Sequence, residues 1–425
     1  MTTSSVVIEH KFIREISPAR KLGMGITEIL IALVIFAVFA LNTGADLTTR
    51  FVMTPGGIEQ GTMGDIVLPS RLTLFILAGI VLVIGVFQLV KGFGKQTNLM
   101  VGVAALCLIL AFLVWQAAGI SLNLAGMLSS AVLLAVPITL GAFSGILAER
   151  CGIVNIAIEG MMLMASMTAA IAGSLTQNVW LGLLGGIASA VLLGLLLGVL
   201  SIKYKVNQTI AGTIINIFST GMTAFISQKF LQTIPALNQP RMFTRVPLPL
   251  LADIPLLGPI LFNQNLFVYL MFAILIILQL ALFQTRWGLR FRSVGEHPQA
   301  ADTLGINVIK TRYMGVILSG VVAGIAGAFF TLGSVGRFDE GMTAGKGFIG
   351  LAAMNFGNWM PLGSLGAGLL FGFADAIGSK LSLLGSVIPP QFMAMAPYLI
   401  TMIVLAGFIG KGQAPAAEGQ PYEKE

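Results

Sequence analysis

Charge is scarce in this 425-residue chain: 10% of its residues are Asp, Glu, Lys or Arg, and the two histidines, His10 and His297, lie far apart. The two cysteines, Cys107 and Cys151, both sit in or beside apolar segments. That excludes a spaced His/Cys metal site and gives no sign of a disulfide framework, so buried or inert thiols are the plain reading. Apolar runs that alternate with a period of two are missing, which excludes the strands of a membrane barrel. A nucleotide loop is missing too. The nearest stretch, "GMTAGKGF" at 341–348, has three residues between its first two glycines where four are required, and Gly347 stands where Ser or Thr should follow the lysine. No motif therefore gives this chain an ATP site of its own.

What is present is apolar length. Hydrophobic residues make up 56% of the chain and mean hydropathy is +0.93. Runs of roughly 18 to 25 apolar residues recur, the length at which a helix rising ~1.5 Å per residue crosses ~30 Å of hydrocarbon. Backbone polar groups in lipid must be satisfied within the segment, so the runs predict an all-α, polytopic transmembrane helix bundle. Twelve spans are expected, with ten as the lower bound: about 25–43, 72–90, 99–117, 122–147, 158–175, 179–201, 207–227, 266–283, 313–334, 346–359, 362–379 and 394–410. The first follows the basic front of "HKFIREISPARKLGMGITEILIALVIFAVFALNTGA". Its polar lead is too long for a cleaved secretion signal and many spans follow, so it reads as a membrane helix that stays attached.

The net charge of +7 is explained by topology and not by nucleic acid. With the N-terminus inside and the sides alternating, sixteen Lys and Arg fall on inside segments and eight on outside ones, the bias expected of a cytoplasmic-membrane protein. Both termini are then cytoplasmic, and the partner this charge implies is membrane lipid. Two longer outside segments are expected, 44–71 and 228–265. The second is rich in proline, which excludes a regular helix interior and predicts ordered loop with short helical pieces. The last stretch, "KGQAPAAEGQPYEKE", predicts a short solvated tail. Residues 1–120 form a set of extra N-terminal helices, 121–411 the core and 412–425 the tail. Glycines four apart, such as Gly182 and Gly186, Gly194 and Gly198, Gly320 and Gly324, and Gly368 and Gly372, predict close helix packing.

Ionisable residues inside spans mark ion or proton paths, and Glu159 and Asp375 are the main candidates. Glu159 reads either as a pathway residue or as an acceptor for a glycine-rich turn. Paired acids or broken helices in matched halves, which a secondary transporter would show, are not evident. Uncharged polar residues are more numerous: Asn155, Gln208, Asn216, Asn355 and Asn358 fall in apolar surroundings with Phe218, Phe356 and Trp359. Such amides serve either as interhelical glue or as the lining of a path for a neutral, hydrogen-bonding solute.

The densest polar segment runs from Thr285 to Tyr313. Its arginines follow from topology. In "GEHPQAADTLGIN", however, Pro298 suits a first helical position and Gly305 a helix end, which frames two turns at 298–304. Ala300, Ala301 and Leu304 give this helix a small apolar face, with Glu296 at the favourable end of the dipole. Too short to be stable alone, it is made to dock on another protein.

These residues carry a resemblance. "GEHPQAADTLGINV" resembles the coupling segment in permease subunits of ABC importers of the ribose, branched-chain amino acid and nucleoside group. "GILAERCGIVNIAIEGMMLMASMTA" (145–169) is similar to that group's most distinctive signature, and nearest to nucleoside-type members. "NQTIAGTIINIF" (207–218) and "GFIGLAAMNFGNWMPLGSLGAGLLFG" (347–372) resemble further segments in the right order, so the likeness covers roughly 125–410. It implies a transport subunit that is not an enzyme. The partners it implies are a second permease, two ABC ATP-binding subunits that hold ATP and Mg, and an extracytoplasmic solute-binding protein. By position, Glu296, Pro298, Ala300, Ala301, Leu304 and Gly305 fall in the coupling helix, and Asn155, Glu159 and Asn216 near the solute pathway, with Phe218 and Asn355 as further lining. His297 replaces an asparagine commoner there, and residues 1–120 depart from the usual core. A nucleoside is the favoured solute, simple sugars come next and branched-chain amino acids third; an ion-coupled transporter is the alternative class.

Overall fold

Each long apolar run closes its own hydrogen bonds as a helix, as lipid requires. The computed structural model describes residues 18–56, 64–383, 395 and 413–424. Among these, ten helices are long and apolar enough to cross a membrane. The chain divides into two compact units, one built from residues before 54 and from 64–123, the other from 124 onward together with 54–63.

The first unit holds α1 (Pro18–Val34), β1 (Thr48–Val52), β2 (Ile66–Pro69), α2 (Ser70–Val90), α3 (Thr97–Gln116) and β3 (Ser121–Asn123). The helices pack closely: a Cβ added at Gly85 of α2 would stand 3.0 Å from the Ile29 backbone of α1. The three strands form a small sheet ordered β2-β1-β3, antiparallel on one side and parallel on the other. The Thr49 hydroxyl, buried under that sheet, bonds the Ser70 hydroxyl at 2.8 Å and donates to the Val114 carbonyl at 3.0 Å. The outside segment expected at 44–71 thus contains two of these strands.

The second unit begins with α4 (Leu124–Glu149), α5 (Ile158–Thr176), α6 (Val179–Gly198) and α7 (Gln208–Ile226). A short antiparallel pair follows, β4 (Arg245–Pro247) with β5 (Asn263–Asn265). Then come α8 (Leu266–Gln284), α9 (Arg286–Glu296), α10 (Pro298–Thr303), α11 (Val308–Ala328), α12 (Lys346–Phe356) and α13 (Pro361–Leu383). The core sits where α4, α5 and α11 meet, and most of their side chains are buried. The glycine pairs explain how the helices come so near. A Cβ at Gly186 of α6 would lie 3.0 Å from the Ala165 carbonyl of α5, and one at Gly324 of α11 would lie 2.6 Å from the Ile187 Cα of α6. Gly372 of α13 faces the Ala131 carbonyl of α4 at 2.5 Å in the same sense.

Two crossings are interrupted, which the hydropathy pattern did not reveal. The turn 150–157 folds back into the bundle, so that α5 begins beside Gly141, eight residues before α4 ends. The expected span 346–359 is not a full-length helix either. Phe338 exchanges hydrogen bonds of 2.7 and 2.9 Å with the Asn238 side chain beyond the C-terminal end of α7. Gly350 stands beside Ile138 half-way along α4, and Trp359 bonds Glu149 at its end. Residues 338–359 thus traverse the unit with helix only in their second half, since 11 residues rise about 16 Å. Helices that begin part-way along a neighbouring helix, not evident in the sequence, are present in the fold. The expected span 394–410 lies outside the described residues.

Candidate functional site

The two helices that start inside the bundle meet at one carboxylate. Glu159, in the first turn of α5, accepts at Oε1 from the Thr343 hydroxyl (2.6 Å) and the Gly345 amide (2.9 Å), and at Oε2 from the Gly347 amide (2.6 Å). It thereby caps the N-terminus of α12, where unpaired amides and the helix dipole favour an anion. The glycines of "GMTAGKGF" are explained by this approach: Gly345 has φ of 77°, and a Cβ at Gly347 would stand 2.7 Å from the Glu159 backbone. A turn that resembled a phosphate loop holds the chain's own carboxylate. Beside it, Lys346 pairs with Asp375 of α13.

Two amides close the same junction. Asn216 of α7 accepts at Oδ1 from the Gly160 amide (2.8 Å) and donates through Nδ2 to the Ile156 carbonyl (2.9 Å), which clips α7 to the start of α5. Asn155, buried in the 150–157 turn, donates to the Ser319 hydroxyl of α11 at 2.8 Å, and Ser319 bonds Ser144 of α4 at 2.8 Å. The Asn155 Oδ1 has no hydrogen-bond partner among the described residues. Asn155, Glu159 and Asn216 are thus brought together, whereas Phe218 and Asn355 lie exposed on the outer sides of α7 and α12.

At the end of the unit where α4 stops, α9 and α10 form a platform. The sequence did not show α9, whose Thr285 hydroxyl caps it by accepting from the Gly288 amide at 3.1 Å. The helix framed by Pro298 is α10, closed by Gly305 at φ of 82°. Its apolar residues do not share one face: Ala301 is buried against Val294 and Val308, while Ala300 and Leu304 face outward, Leu304 being 81% exposed. A groove of about 640 Å³ beside Leu304 is lined in part by Arg290, Phe291 and Lys310. Glu296 ends α9 and turns inward, its Oε2 accepting from the Ala416 amide at 3.1 Å.

Sequence reasoning singled out Trp359 but missed the part played by Arg150, which binds it at this end. Arg150 donates through Nε (3.1 Å) and Nη2 (3.0 Å) to the Trp359 carbonyl, and the Trp359 indole donates to Glu149 at 2.6 Å. Burial, and then the nearby Arg292 charge, lower the Arg150 pKa. Burial pushes the Cys151 thiol up to about 12, which leaves it inert as a nucleophile. The tail is not free in solvent: residues 413–424 pack on this end, and Ala417 is buried. Arg150 stands inside the "GILAERCGIVN" signature, so a charge immediately after a buried span was the available signal.

Comparison with known proteins agrees with this architecture. Residues 127–406 match the family described as the permease component of the branched-chain amino acid transport system. The guanosine ABC transporter permease protein NupQ of Bacillus subtilis is 40% identical over 300 residues, which cover 68% of this chain and 94% of that protein. The nucleoside ABC transporter permease protein NupC of Lactococcus lactis is 39% identical over 299 residues, 68% of this chain and 93% of NupC. A second protein of that organism, the nucleoside ABC transporter permease protein NupB, is 27% identical over 159 residues, 37% of this chain and 43% of NupB. No solved structure matches the chain. A multi-pass helical bundle whose matched region takes in the interrupted helices and the α9–α10 platform therefore belongs to the branched-chain amino acid transport system permease family.

Proposed function

We propose that this chain is the membrane-spanning permease of an ABC importer for nucleosides. One observation carries the reading: identity near 40% along almost the whole length of two relatives named for guanosine and nucleosides. The α9–α10 end faces the cytoplasm, as do both termini, in keeping with the bias of Lys and Arg. There α10 presents Ala300 and Leu304 to an ATP-binding subunit, and the neighbouring groove with Arg290 and Lys310 receives a segment of it. ATP and Mg are held by that partner, which hydrolyses ATP. An extracytoplasmic binding protein delivers the solute. A second permease chain completes the pathway, a pairing supported by the two related permeases of one organism. Phe218 and Asn355, an aromatic ring and an amide on open faces, are suited to a neutral base and sugar. Asn155, Glu159 and Asn216 hold the helix ends that set the width of that path.

Uptake by cells that carry the complete system tests the proposal. Labelled nucleosides are expected to enter, to be competed by other nucleosides and not by glucose or ribose, and to stop when ATP is depleted. Uptake of sugars alone would overturn the solute. Uptake by this chain alone, collapsed by an ionophore, would overturn the class.

A further inference from the structure

The last described stretch, 413–424, makes contacts that a solvated tail has no reason to make. Its backbone is bonded at intervals: the Ala417 amide donates to the Gly295 carbonyl at the end of α9 (2.9 Å), and the Gly419 amide to the Gly152 carbonyl in the 150–157 turn (3.2 Å). The Gln413 amide donates to Asn358 just past α12 at 2.9 Å. Gly152 has φ of 92°, and a Cβ there would stand 3.0 Å from Arg312 Nη2 and 3.3 Å from the Ala417 carbonyl, so these layers are in close contact.

Two buried groups depend on the tail. The Arg312 side chain, in the first turns of α11, is 1% exposed, and its Nη1 donates to the Gln420 carbonyl at 2.9 Å. Its Nε and Nη2 have no acceptor among the described residues. Removing the tail would take away that carbonyl, and a buried guanidinium without an acceptor is costly. Glu149 at the end of α4 is buried, and the carboxyl of Glu418 lies beside it. Two carboxyls so placed repel when both are charged and attract when a proton lies between them. The same Glu149 also receives the Trp359 indole and the Asn155 amide. The tail thus touches both the platform, at Gly295 and Glu296, and the carboxyl that holds the turn carrying Asn155.

We infer that residues 413–424 are a strap that couples the α9–α10 platform to the interrupted helices, with Glu418 as the positioning residue that bears on Glu149. The inference rests on the permease reading above, since it supplies the path by which a displacement of α10 reaches the 150–157 turn. A strap differs from mere packing in what its loss does. The platform, made of α9, α10 and the start of α11, keeps in a Glu418 variant the packing of Val294, Ala301 and Val308 and of the tail's Tyr422 on them, so partner docking survives while the link to the turn fails.

The test uses the complete transporter in liposomes, with solute moved and ATP hydrolysed measured together. Wild type must first show ATP-driven uptake; if it does not, the permease reading fails and not the strap. Glu418→Ala is expected to leave assembly and ATP hydrolysis within about twofold and to lower solute moved per ATP by roughly threefold or more, in the range of measured coupling changes. Glu418→Gln, which keeps a neutral donor to Glu149, is expected to restore the ratio. An unchanged ratio in Glu418→Ala, or a parallel fall of assembly, hydrolysis and uptake that Gln does not restore, would overturn the inference. Deletion of 413–425 is expected to lower the ratio at least as far; a deletion variant that assembles and keeps the wild-type ratio would also overturn it.

Discussion

Two carboxylates lie near the start and the end of the 150–157 turn, and they are held in opposite ways. Glu159 accepts from three donors of one glycine-rich turn, two of them backbone amides that cannot move without breaking the N-terminus of α12. Glu149 meets groups from three separate segments: the Trp359 indole, the backbone N–H of Asn155 and the carboxyl of Glu418. The first arrangement is a fixed cap. The second is a looser junction, in which each contact comes from a different segment.

That contrast is broken most directly at Glu159. Replacing it by Ala leaves two amides and a hydroxyl without their acceptor, each such loss costing about 1–3 kcal/mol when buried. Glu159→Ala is therefore expected to destabilise the purified protein by about 3 kcal/mol or more, read as a lower thermal midpoint in detergent. Glu159→Gln should fall between, since its amide keeps one acceptor but turns an N–H toward the Gly347 amide. A midpoint unchanged in Glu159→Ala would refute the fixed cap.

The looser junction responds to pH. Burial raises the Glu418 carboxyl above its ordinary range, and Glu149 is the titratable group it meets. The docked tail therefore holds a proton that the free tail gives up. Docking is strongest at or below the ordinary carboxylate range of about 4 and weakens as pH rises through the window up to the raised value, where the loss levels off. Amide exchange of the tail, with Glu418→Gln as the reference that removes the intrinsic pH dependence, is expected to show protection falling with rising pH in wild type alone.

Much of the fold was legible because lipid leaves helices little alternative. Run length placed nearly all the described spans, and glycines four apart marked the contacts of α6 with α5 and α11 and of α13 with α4. The interruptions were hidden for a physical reason: hydropathy registers how apolar a run is, not where within a bundle its helix begins. Glu159 was legible as an acceptor for a glycine-rich turn because the glycines were in view; which turn it met depended on a contact across 186 residues, from Glu159 to Gly345. The small sheet was illegible likewise, since β1 and β3 are brought together from some 70 residues apart. The tail read as solvated because its partners, the carbonyls of Gly152 and Gly295, leave no trace in side-chain pattern.

The smallest expected effect on stability is at Leu304, and it separates the two ends of the comparison. Leu304 is 81% exposed and supports nothing beneath it, whereas Ala301, three residues earlier, is buried against Val294 and Val308. An exposed apolar side chain that packs on nothing contributes within about 0.5 kcal/mol. Leu304→Ala is expected to leave the thermal midpoint unchanged and yet reduce the amount of ATP-binding subunit that copurifies with the permease. Ala301→Leu, which forces bulk between α10 and α11, is expected to lower the midpoint by about 1–3 kcal/mol of stability. If Leu304→Ala lowered the midpoint and left copurification intact, α10 would be a packing element of the permease and not the surface its partner grips.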